Sequence, residues 1–129
     1  MGESLPILVV EDEELLLPLL QAALERGGFK VAGAASTSAA LAKLQQGEFA
    51  AIVSDLRLGD GGGAAIFEWV RQYRPQALSR FLFTTGNMSD SYAMEVRERT
   101  GAAFIEKPFR IGTLVELVKT LMEKASPHA

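Results

Sequence analysis

Five short apolar segments alternate with segments of helical period, and this alternation constrains the fold more than any other feature of the chain. The apolar segments are residues 7–10, 30–34, 51–54, 81–84 and 103–105. Each is rich in branched side chains and too short for a stable helix, so each predicts a strand buried on both faces. Residues 13–26 carry Leu16, Leu19, Leu20, Ala23 and Leu24 on one stripe and stop at Gly27 and Gly28, a helix-ending signal. Ser36 or Thr37 caps a second helix that turns Ala40, Leu41 and Leu44 inward and ends at Gly47. Residues 64–73 present Ile66, Phe67 and Val70 before Pro75 stops them. Residues 88–99 predict a weaker helix with little apolar content, and 110–124 a strong one with Ile111, Leu114, Leu117, Val118 and Leu121. Pro18 removes a backbone bond inside the first helix, which predicts a kink or a delayed start.

A strand followed by a helix, five times over, predicts an α/β fold: a five-stranded parallel sheet with helices on both faces. The 129 residues suit a single domain, residues 1–129, and 48% hydrophobic content supplies its core. The formal net charge of -3 and the lack of a basic run argue against direct nucleic-acid binding. The absence of cysteine excludes disulfides, thiolate metal sites and thiol nucleophiles, and fits a reducing, cytoplasmic setting. The one histidine, His128, sits in a Ser-Pro-His-Ala tail, which excludes histidine triads and zinc sites. The longest apolar run falls far short of the roughly 20 residues of a membrane span. No secretory signal is visible, and Met1-Gly2 is either native or a cloning remnant.

In an open parallel sheet, ligands bind at the carboxyl ends of the strands. Glu11, Asp12 and Glu13 follow the first strand and Asp55 the third. Thr84, Thr85 and Gly86 stand at the end of the fourth, and Lys107 and Pro108 follow the fifth. Taken singly, each residue has an ordinary role: the acidic pair caps a helix, Asp55 makes a turn, Lys107 is a surface lysine. Together they place carboxylates, a hydroxyl and a lysine on one rim. Clustered carboxylates without counter-charge suit a hard divalent cation such as Mg²⁺. A carboxylate also serves as a nucleophile toward phosphorus, and a lysine with a hydroxyl neutralises the transferred oxygens.

These residues resemble the receiver domain of two-component response regulators. The resemblance covers about residues 5–124, leaving 125–129 as a tail. It rests on Leu-Val-Val-Glu-Asp-Glu, on Ile-Val-Ser-Asp-Leu-Arg-Leu around Asp55, on Phe-Thr-Thr-Gly, and on Phe-Ile-Glu-Lys-Pro-Phe. It implies a (βα)5, doubly wound, flavodoxin/CheY-like sheet in which Asp55 accepts a phosphoryl group from a histidine kinase or phosphotransfer protein. Asp12, Asp55 and the backbone carbonyl of Arg57 would bind Mg²⁺ directly, with Glu11 acting largely through water. Lys107 would contact the phosphoryl oxygens, and its bond to Pro108 would be cis. Thr85, just before Gly86, matches the switch hydroxyl, and Phe104 the aromatic position that responds to it. Arg57 and Asn87 match the positions that tune phosphoryl lifetime.

The chain departs from that pattern in two places. Gly59 stands where the family usually has proline, and Asp60-Gly61-Gly62-Gly63 continues a glycine-rich loop, expected to be mobile without metal. Phe104 lacks the hydroxyl of the common tyrosine, so its switching would be steric. The expected function is a signalling receiver, either stand-alone or part of a hybrid histidine kinase, with no output segment after the last helix and homodimerisation open. It would catalyse only its own phosphorylation and slow dephosphorylation. A small Mg²⁺ phosphatase would want an acid at position 57, where Arg57 stands. A non-phosphorylated protein-interaction module of the same fold would be expected to lose part of the acidic cluster or the lysine.

Overall fold

The structure, a computed structural model, describes residues 5–123. The tail with His128, the Met1-Gly2 start and the predicted helix end at Lys124 lie outside the described residues. The strands are β1 (Ile7–Val10), β2 (Val31–Ala34), β3 (Ala51–Asp55), β4 (Phe81–Thr85) and β5 (Ala103–Glu106). The helices are α1 (Leu16–Arg26), α2 (Thr37–Gln46), α3 (Gly63–Tyr73), α4 (Ser91–Thr100) and α5 (Ile111–Glu123), with a 3₁₀ turn at Pro75–Arg80. All strands pair in parallel, in the order β2-β1-β3-β4-β5. The chain therefore leaves β1 in one direction to β2 and returns to β3 on its other side, which opens a crevice at the carboxyl ends of β1 and β3.

Side chains alternate across the sheet and build two cores. Leu8, Val10, Ile52, Phe81 and Phe83 pack toward Ala40, Leu44, Ile66, Phe67, Val70 and Val96. Ile7, Val9, Val53 and Leu82 pack toward Leu20, Leu24, Leu114, Val118 and Leu121. The expectation that every strand is buried on both faces holds for β1, β3 and β4 but not for the edges. β2 and β5 are mostly half-buried because each has a neighbour on one side only.

Local chemistry sets the helix ends. The first helix begins at Leu16 rather than Glu13, so Pro18 falls in the first turn. Its missing N–H is there one of the donors that no helix satisfies, and the proline delays the start. Ser36 caps α2 by accepting from the Ala39 N–H at 3.0 Å. The fourth helix begins at Ser91 rather than Met88, because Asp90 caps it by accepting from the Ala93 N–H at 3.1 Å.

The glycine-rich loop after β3 is tied to α2 by hydrogen bonds. Asp60 accepts from the Thr37 and Ser38 N–H groups at 2.8 and 3.1 Å, and the Gly62 N–H donates to Thr37 Oγ1 at 3.1 Å. Leu56 and Leu58 are buried beneath it. Gly62 has φ +84°, and a Cβ on Gly63 would stand 2.5 Å from the Asp55 carbonyl oxygen. Only glycine lets α3 start this close to the end of β3.

Candidate functional site

The crevice gathers side chains from three strand ends. Glu11 is almost fully buried, and its backbone N–H donates to the Ala34 carbonyl at 3.0 Å, extending the sheet by one step. Its Oε2 accepts from the Glu13 N–H at 3.1 Å. Asp55 ends β3, and the Leu56 N–H donates to the Thr84 carbonyl at 2.8 Å, which holds the strand end against β4. Lys107 reaches across from β5, its N–H donating to the Thr85 carbonyl at 2.7 Å. Its Nζ lies 3.0 Å from Glu11 Oε1 and 3.2 Å from Asp55 Oδ2. The Lys107–Pro108 peptide bond is cis.

The electrostatics arise from this geometry. Burial pushes the Glu11 and Asp55 carboxyls above their ordinary values, and the bonds to Lys107 only partly offset it. For Lys107 burial acts downward, but the bonds and charges of Glu11 and Asp55 outweigh it and hold the ammonium above the ordinary lysine value. Carboxylate oxygens of Glu11, Asp12 and Asp55 lie within 4.8 Å of one another, with Asp12 exposed. Three carboxylates face one ammonium, so the pocket is short of positive charge. An all-oxygen donor set open to solvent at Asp12 fits a hard divalent ion that keeps part of its water shell.

Thr85 ends β4, buried, with its Oγ1 accepting from the Asn87 N–H at 3.4 Å. Thr84 pairs in register with Asp55, and its buried Oγ1 has no partner among the described residues. Phe104 pairs with Phe83, their ring centroids 5.0 Å apart. Thr85 is two residues beyond Phe83 on β4 and therefore shares the face that carries Phe83 and Phe104. Asn87 Oδ1 accepts from the Ser89 N–H at 2.9 Å, so this side chain closes its own loop. Arg57 places its backbone N–H 3.5 Å from Asp55 Oδ1 but sends its guanidinium the other way. The guanidinium pairs with Asp90 and lies 4.9 Å from the centre of the Tyr92 ring.

Four residues around the rim carry roles that the sequence does not announce. Glu106 accepts from the Met88 N–H at 2.9 Å and ties the β4–α4 loop to β5. Asp60 clips the β3–α3 loop to α2, and Asp90 and Tyr92 hold Arg57. Asp90 is a capping residue type, but it lies inside the helix predicted over 88–99 and not at its start. The other partnerships join residues far apart in sequence and leave no local trace.

Residues 7–119 match the family described as the response regulator receiver domain. Over 123 residues the chain is 30% identical to the sensor kinase CckA of Brucella abortus, a match covering 94% of this chain and 13% of that protein. Over 108 residues it is 32% identical to the photosynthetic apparatus regulatory protein RegA of Rhodobacter capsulatus, covering 84% of this chain and 58% of that one. The chain thus spans less than two thirds of either relative. The crystal structure of a response regulator receiver domain protein (CheY-like) from Methanospirillum hungatei superposes with a TM-score of 0.85 at 27% identity, covering 95% of this chain and 96% of that one. No helix among the described residues is long and apolar enough to cross a membrane.

Proposed function

The chain belongs to the response regulator receiver domain family, and from that premise we propose that it carries a phosphoryl group on Asp55, received in a Mg²⁺-dependent step from a histidine kinase or phosphotransfer protein. The observation that carries this reading is Lys107 bridging Glu11 and Asp55 at 3.0 and 3.2 Å, inside a carboxylate cluster at the switch point of the sheet. An Asp55 oxygen attacks phosphorus. The new O–P bond forms as the N–P bond of the phosphohistidine breaks, and its electron pair stays on the imidazole nitrogen, which takes a proton. Asp12, Asp55 and the Arg57 carbonyl would hold the metal directly, and Glu11 through water. Mg²⁺, when bound, neutralises the phosphoryl oxygens. Lys107 moves from the carboxylates to a phosphoryl oxygen, exchanging one anionic partner for another. Arg57 occupies the position where a phosphatase of this type would need a general acid, which favours a phosphoryl carrier over a turnover enzyme.

The donor seats on an apolar ledge beside the site. Leu15 and Leu19 are 89% and 50% exposed. A groove of about 420 Å³ runs between Leu16, Leu19, Pro108, Phe109 and Ile111, and Lys107 lines it. The same lysine contacts Asp55, so a helix covering the groove delivers its phosphohistidine to the acceptor. Leu19→Asp should slow transfer from the protein donor at least tenfold and leave phosphorylation by acetyl phosphate unchanged. An equal slowing with both donors would remove the ledge from the reading.

The output runs through Thr85 and Phe104. Movement of the Thr85 hydroxyl toward the phosphoryl group gives up its bond from the Asn87 N–H and opens space beside Phe104 for a steric response. Phosphorylation supplies the differential contact that such a shift requires.

Intact-mass measurement after incubation with acetyl phosphate and Mg²⁺ tests the acceptor. One base-labile phosphoryl adduct is expected on the parent and none on Asp55→Asn, with unchanged far-ultraviolet circular dichroism. The same adduct on the variant would defeat the assignment.

A further inference from the structure

We infer that Asp90 is a positioning residue for phosphoryl lifetime: it holds the Arg57 guanidinium away from Asp55, so that α4 and the phosphoryl group compete for one cation. The inference rests on the proposed phosphorylation of Asp55 and concerns what governs the adduct once it exists.

Three observations support it. Arg57 follows the acceptor by two residues, and its backbone N–H already faces Asp55 Oδ1 at 3.5 Å. Its side chain is nevertheless committed elsewhere, paired with Asp90 and stacked 4.9 Å from the centre of the Tyr92 ring. Asp90 is itself fixed, because the oxygen that pairs with Arg57 also accepts from the Ala93 N–H at 3.1 Å to cap α4. The arginine side chain is 59% exposed, and an exposed pair of this kind exchanges readily. A phosphoryl group on Asp55 brings about two negative charges within reach of the same guanidinium, against one on Asp90.

The competition has a direction. Water that hydrolyses the adduct must approach phosphorus opposite the Asp55 oxygen, from the solvent side. A guanidinium drawn over the phosphoryl oxygens stands in that path. Asp90 therefore shortens the lifetime by keeping Arg57 away, and Arg57 released to the phosphoryl group leaves the first turn of α4 without its tie to the β3–α3 loop.

Asp90→Asn separates the two roles of the residue. Asparagine caps a helix about as well as aspartate, but it lacks the charge that holds Arg57. The parent, Asp90→Asn, Arg57→Ala and the double variant are each loaded with acetyl phosphate and Mg²⁺, and the decay of the adduct is followed by mass measurement. Asp90→Asn is expected to lengthen the half-life about two- to fivefold, the size of an exposed pair, with an unchanged thermal midpoint. In the Arg57→Ala background the same substitution should have no effect, the non-additivity that marks direct coupling. A half-life in Asp90→Asn equal to or shorter than the parent's, or a change that persists without Arg57, overturns the inference while the Asp55 adduct still forms. A parent that takes no adduct overturns both readings at once.

Discussion

The helices on either side of β5 are held in opposite ways. The last helix, α5, buries Leu114, Val118 and Leu121 against β1, β3 and β4. The one before it, α4, buries only Ala93 and Val96. Much of its anchorage is polar: the Asp90 cap, the Arg57–Asp90 pair and the Glu106 bond to the Met88 N–H at its start, and Arg99 facing Glu68 of α3 at 3.4 Å near its end. Burial of apolar area is non-directional and cannot be exchanged for anything a ligand brings, so moving α5 opens a cavity. A charged partner can be exchanged for a phosphoryl group at little cost. A shift of the kind proposed would therefore move the side held by charges and hydrogen bonds.

The largest test of this contrast is in stability. Leu114→Ala should cost about 2–5 kcal/mol, as full truncation in a packed core does. Met94→Ala on α4, where the side chain is 53% exposed, should stay within about 0.5 kcal/mol. Similar losses by urea denaturation would erase the difference between the two helices. A second measurement sharpens it. Beryllofluoride should shift backbone resonances across residues 88–106 and leave 114–121 nearly still. Thr85→Ala should lose the response in the first region while Asp55→Asn alone loses the adduct. Equal shifts in both regions, or an unaltered pattern in Thr85→Ala, would send the switch through another route.

The smallest expected effect is on pH dependence. Burial raises Glu11 and Asp55 above their unfolded values, so between those values the folded protein holds more protons than the unfolded one. Stability without metal should then fall as pH rises through that acidic interval and level off above it. Lys107 contributes the opposite way at high pH: its stabilisation is present below its ordinary value and lost only as pH rises through the raised one. Asp55→Asn should flatten the acid-side fall in urea midpoint, and Mg²⁺ should offset it in the parent. A midpoint that rises with pH in the acidic interval without metal would show that the Lys107 pairing outweighs burial.

Much of this was legible along the chain. Each strand appears within a residue of its apolar segment, because a run buried among neighbours has few alternatives. The carboxylates and the lysine of the crevice stand at or immediately beyond the strand ends, where a parallel sheet places its ligands. The 3₁₀ turn at Pro75–Arg80 leaves no such trace: it is six residues long, buries only Ala77, and has no period to detect. Nothing near Asp60 announces that its carboxylate meets the Thr37 N–H, 23 residues away.

The order of amino acids alone dictates the alternation of strands and helices, and with it a parallel sheet whose rim carries Glu11, Asp12, Asp55 and Lys107. Periodicity and strand-end chemistry are local, so local residues suffice to specify them. Three-dimensional packing was needed to make β2 and β5 the edges, to stretch Lys107 between Glu11 and Asp55, and to turn Arg57 from Asp55 toward Asp90. A long flexible side chain selects among charged partners only after the fold has brought them within reach, and Arg57 and Asp90 stand 33 residues apart in the chain.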